Sequence, residues 1–136
     1  MIAGPMEFRF MKGGSAVMAG TYTTNPDSYY VNLDLIGFTE SDATPAEYSP
    51  ELLNFFATVE RKWVALGGLP HNGKMYGFYD PDGAAGNYTA PFNENYLKAL
   101  TQKRLDRVQA FDTYRQSMDP SGLFNNAYVK TLLNLS

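Results

Sequence analysis

Cysteine is absent from this 136-residue chain, and histidine and tryptophan occur once each, as His71 and Trp63. Without cysteine there is no disulfide framework and no thiolate chemistry. One histidine does not furnish a zinc site of ordinary type. A Ser–His triad would rest on His71 alone, and no serine stands in a Gly-x-Ser-x-Gly elbow. Walker and GxGxxG phosphate loops are also missing. No Lys/Arg run exceeds two residues and the net charge is −3, so the basic footprint of a nucleic-acid binder is lacking. No apolar run approaches the length of a membrane span. The opening MIAGPMEFRF lacks the basic-then-apolar form of a signal peptide. It runs almost at once into a strand pattern, as expected of a domain taken from a longer chain.

What is present is a globular composition: 44% hydrophobic and 18% charged residues, with ten Tyr and nine Phe. The length suits one domain. Residues 6–12 alternate and meet Gly13-Gly14, which predicts a hairpin with residues 15–20. Tyr29–Phe38 reads as the clearest strand. Val31, Leu33 and Leu35 lie on one face, and Tyr30, Asn32 and Asp34 on the other. Three antiparallel strands with one polar face are expected. Ser49 and Pro50 then open a helix with Leu52, Phe56, Val59, Trp63 and Leu66 at helical spacing, and Gly67-Gly68 stops it. The Gly-, Pro- and Asn-rich stretch from Leu69 to Tyr88 predicts a long irregular segment of functional type. A short helix follows near residues 92–102. A longer one over 103–119 carries a stripe of Leu105, Val108, Phe111, Tyr114 and Met118, expected in the core. After an Asp119–Gly122 turn, a last short helix closes the chain. Strands first and helices after define an α+β class, an antiparallel or mixed sheet with helices on one face.

Two features carry chemistry. In Glu7-x-Arg9 both side chains share one strand face, with Phe8 and Phe10 expected to anchor the other. Spacing alone fits an ordinary surface ion pair, worth at most about 1 kcal/mol. It equally fits a carboxylate that fixes a guanidinium fork to meet a developing anion. In PHNGKMY, Lys74 follows His71 by three residues in a glycine-containing loop, as a surface amine or as a second cation on the same anion.

Taken together, EFRF, PHNGK and RVQAFDTYRQSMDPSGLFNNAYVKTLL resemble, in that order, the C-terminal part of the vanillyl-alcohol-oxidase-type flavoproteins. EFRF is similar to the Glu-x-Arg strand of alditol, aldonolactone and covalent-flavin cholesterol oxidases. PHNGK resembles the His-x-Gly-Lys loop of the sugar and polyol members, with Asn72 where their aromatic stands. The last segment resembles the family's Asp-Pro-x-Gly-x-Phe ending. The resemblance implies that residues 1–136 form a substrate-binding, or cap, domain over the flavin ring. Its partner would be the FAD-binding domain of the parent protein, toward which residues 103–136 would pack. FAD would be supplied mainly by that domain, and the chain would not be active alone. Glu7, Arg9 and Lys74 would be catalytic, and Arg9, His71, Lys74 and Asn126 would contact the cofactor. By strand parity and order, Tyr30 and Asn32 would line the substrate cavity. The implied substrate is a small-molecule alcohol. A bulky apolar one such as a sterol is expected, with a sugar lactone or polyol, or a non-catalytic small-ligand module, as alternatives.

Overall fold

The computed structural model describes residues 6–40 and 42–133. Residues 1–5, Ser41 in the expected loop and residues 134–136 at the end of the expected last helix lie outside the described residues. Strand β1 (Glu7–Lys12) pairs antiparallel with β2 (Tyr29–Asp34). The register sets Glu7 opposite Asp34, Arg9 opposite Asn32, and Met11 opposite Tyr30. Four helices follow: α1 (Pro50–Ala65), α2 (Glu94–Lys103), α3 (Leu105–Met118) and α4 (Ala127–Leu133). This is an α+β arrangement, as the order of patterns predicts.

The expected hairpin at Gly13-Gly14 does not form. Residues 15–20 are no strand, and β1 pairs instead with β2 across a 16-residue connection, residues 13–28. Only two strands, not three, occur among the described residues. The physical reason is composition. Ser15–Gly20 offers two sizeable apolar side chains, whereas Tyr29–Asp34 is rich in aromatic and branched residues that suit a pleated surface. The connection folds on itself, with Gly14 N donating to Thr21 O (3.1 Å) and Thr23 N to Gly14 O (2.9 Å).

Helix α1 follows its sequence signals. The Ser49 hydroxyl accepts from Leu52 N (3.2 Å), Pro50 is the first helical residue, and the chain leaves the helix through Gly67 at φ 87°. Gly68 N closes the end on Trp63 O (2.8 Å), which leaves only glycine comfortable at Gly67. Its buried residues are Leu52, Leu53 and Ala57, whereas Leu66, expected in the stripe, is 86% exposed. The core joins Leu53 and Ala57 to Tyr96, Leu97 and Leu100 of α2 and to Tyr76, Phe78 and Tyr79. Those last three belong to the irregular segment, which therefore builds the core as well as a loop. Its backbone is satisfied by the segment that precedes α2: Phe92 N donates to Tyr76 O (2.7 Å) and Thr89 N to Phe78 O (2.7 Å).

Two further expectations fail. Of the α3 stripe only Val108 is buried, and Tyr114 and Met118 lie mostly in solvent. Phe8 and Phe10 do not anchor their strand. Phe10 is 81% exposed, and with Phe8, Tyr29 and Val31 it forms an uncovered apolar sheet face.

Candidate functional site

The opposite sheet face carries Glu7, Arg9, Asn32 and Asp34, because antiparallel pairing with this register brings residues of equal parity to one side. An open cavity of about 360 Å³ lies between this face, α1 and the segment after it. Glu7, Arg9, Asn32 and Asp34 line it from the sheet, with Val31 and Leu33 of β2 also at its border, and His71 and Lys74 line it from the loop. Phe56, Glu60 and Trp63 line it from α1, one helical face at spacings of four and three. Leu35, Ile36, Leu69 and Phe78 add apolar wall.

Arg9 is held in a fork. Its Nε donates to Glu7 Oε1 (2.8 Å) and one terminal nitrogen to Glu7 Oε2 (2.9 Å). A guanidinium has five N–H donors, so three remain for another group. Both side chains are exposed, which leaves this end of the cavity open to a ligand. The Arg9 hydrogen bonds, with its charge and that of Lys74, hold the Glu7 carboxyl below its ordinary range. Glu7, helped by Asp34, stabilises the charged form of Arg9. Lys74 is thus close enough for its charge to act on Glu7. His71 Nδ1 accepts from Gly73 N (3.0 Å), and Lys74 N donates back to His71 O (3.0 Å), so the two cavity residues share one tight turn. Asn32 Nδ2 donates to Asp34 Oδ2 (3.2 Å).

Two expected site residues stand elsewhere. Tyr30 shares the sheet face but not the cavity, and its hydroxyl donates to Tyr22 O (3.1 Å). Asn126 caps α4, its Oδ1 accepting from Val129 N (2.9 Å), and does not line the cavity. Asn72, at the departure in the His-x-Gly-Lys loop, is a structural bridge between Met18 O (2.8 Å) and the Arg104 guanidinium (3.2 Å).

Sequence reading missed Asp34, Trp63 and above all Glu60. The Glu60 carboxylate accepts from Gly77 N and Phe78 N, both at 2.7 Å, and hydrogen-bonds the Tyr96 hydroxyl. Burial raises its pKa while these bonds oppose the rise. Burial, with the nearby Glu60 charge, likewise pushes the Tyr96 hydroxyl far up. Sequence shows its place, an acid four residues after Phe56 and three before Trp63 inside an apolar stripe, but not its partners. No cluster of metal-ligating side chains occurs among the described residues.

An ion-paired strand face and a lysine-bearing loop thus border one open cavity of mixed polarity. Residues 1–132 match the family model described as D-arabinono-1,4-lactone oxidase. The chain belongs to this family, which is of the FAD-linked aldonolactone oxidase type. No curated protein and no solved structure matches the chain.

Proposed function

We propose that this chain is the substrate-binding part of an FAD-dependent oxidase of sugar lactones or polyols, working with an FAD-binding domain of the same parent protein. The observation that carries the reading is the convergence of Arg9 and Lys74, with Glu7, on one open cavity in a chain of this family. The residues fit a flavin's electron-rich edge. A fork with free donors on an exposed sheet face suits planar acceptors such as a ring carbonyl and nitrogen. When bound, FAD supplies the hydride acceptor for a C–H bond beside a hydroxyl. Arg9, charged at any working pH, would stabilise negative charge at the ring's N1/C2=O edge, and Lys74 would be a second cation there. Glu7 would keep the fork aimed and help to accept the substrate hydroxyl proton. Asn32 and Asp34 would bind substrate hydroxyls. His71 would support the Lys74 turn beside the cofactor.

A second reading, a bulky apolar alcohol such as a sterol, is favoured by the apolar wall of Ile36, Phe56, Trp63 and Leu69. Oxygen uptake by the chain joined to its FAD domain, with aldonolactones, polyols and sterols as substrates, tests both. Arg9→Ala is expected to lower kcat on the order of 10²-fold, the scale of one lost oxyanion donor. Unchanged turnover in that variant would defeat the electrostatic role.

A further inference from the structure

Lys74 lies on a segment without regular secondary structure, yet two ties from outside hold that segment. On its C-terminal side, Glu60 of α1 grips the backbone of Gly77 and Phe78. On its N-terminal side, Asn72 is held by Met18 O and by Arg104, which is 4% exposed at the break between α2 and α3. Lys74 sits two residues from one tie and three from the other. Neither Glu60 nor Arg104 forms an ion pair among the described residues. Taking a charge out of water is costly, and apolar packing serves stability as well or better. The Glu60 bonds to Gly77 N and Phe78 N and the Arg104 bond to Asn72 go instead to the stretch that carries His71 and Lys74, although Glu60 also meets the Tyr96 hydroxyl of α2. A lysine head group swings on a flexible stem, so the backbone under it decides where its charge can reach.

We infer that Glu60 and Arg104 are positioning residues: a partly buried carboxylate and a buried guanidinium, unpaired with each other, that fix both flanks of the Lys74 turn and so set its ammonium against Glu7 and Arg9. This rests on the proposed function, in which Lys74 is the second cation of the site. Glu60 acts on the backbone directly and Arg104 through Asn72.

The test is NMR of the 136-residue chain with ¹³C-dimethylated lysines, together with titration of the Glu7 carboxyl. Glu60→Gln keeps one acceptor but turns an NH₂ toward a backbone donor. The Gly77 and Phe78 amides are expected to exchange roughly tenfold faster or more, by easier local opening. The Lys74 methyl signal should move toward that of freely exposed lysines. Glu7 should titrate higher, in the direction set by a Lys74→Gln control. Asn72→Ala releases the other tie without touching α1 and should move the same two signals; it decides alone if Glu60→Gln does not fold. Faster amide exchange with the Lys74 and Glu7 signals unchanged would overturn the proposal and leave both ties merely structural. With the FAD-binding domain supplied, kcat should fall on the order of 10²-fold with KM little changed, as for a misplaced group. A wild-type assembly that oxidises no lactone or alcohol would defeat the proposed function, while the NMR signals still decide the ties.

Discussion

Glu60 and Asp119 each accept two backbone N–H bonds, yet burial drives their titrations apart. Asp119, on a surface turn where desolvation is slight, accepts from Leu123 N and Phe124 N (both 2.9 Å), and the hydrogen bonds win, lowering its pKa. Glu60, partly buried between α1 and the segment at Gly77–Phe78, is raised because desolvation wins. The linkage signs are therefore opposite. The Asp119 contribution is present above its unfolded pKa of about 3.9 and is lost as the pH falls through the lower folded value. Glu60 binds its proton more tightly when folded, so its effect reduces stability as the pH rises from about 4.3 through the raised folded value. Carboxyl ¹³C titration should show the two moving in opposite directions from those ordinary values; a Glu60 midpoint at or below its unfolded value would refute the burial argument. At Gly77, φ is 76° and an added Cβ would stand 3.2 Å from the backbone nitrogens of Phe92 and Asn93. Gly77→Ala should cost about 1–3 kcal/mol, read from urea unfolding. These effects were hard to read in sequence. Glu60 and Gly77 are 17 residues apart, and only the folded backbone shows that one serves the other.

At the scale of elements, legibility followed the locality of the signal. The bounds of α1 depend on Ser49, Pro50 and Gly67-Gly68, all neighbours of the helix they start or stop, and these were legible. Ser49→Ala should remove one capping bond and cost about 1 kcal/mol, a fall on the order of 4 °C in Tm by calorimetry; no change would mean that Pro50 and the dipole suffice. The partner of β1 is a non-local choice. Gly13-Gly14 is a sound turn signal, but it lost to a better-matched strand 16 residues on. The α3 stripe shows the converse limit, since helical spacing gives a face but not what covers it. The candidate site divides in the same way. Glu7-x-Arg9 and His71–Lys74 were visible as local motifs, and strand register joined Asn32 to them. Asn126 caps α4 and lies outside the cavity. Tyr30 has the right parity but sits at the far end of the strand from Asp34, beyond the cavity.

At the scale of the molecule, the core and the surface apolar groups are out of proportion to one another. One side of the two-stranded sheet presents Phe8, Phe10, Tyr29 and Val31 to solvent, and the far end of the chain presents Tyr114, Met118, Leu123 and Phe124. An isolated two-stranded sheet is marginal in water, and a contiguous apolar patch on a monomer marks an interaction surface or a point of aggregation. Among the described residues no third strand joins the β1–β2 pair, so both its strands are edge strands. The chain by itself should therefore self-associate as its concentration rises. Phe8→Thr with Phe10→Thr keeps residues that suit a strand and removes most of the exposed ring area of β1. Because neither ring is in the core, the unfolding midpoint should move by less than about 0.5 kcal/mol, the range of ordinary surface substitutions. Sedimentation velocity should shift toward monomer in the same variant. A large loss of stability would show that the face is packed after all. Unchanged association would place the contact at the Tyr114–Phe124 end, where Leu123→Ser with Phe124→Ser should then produce the monomer.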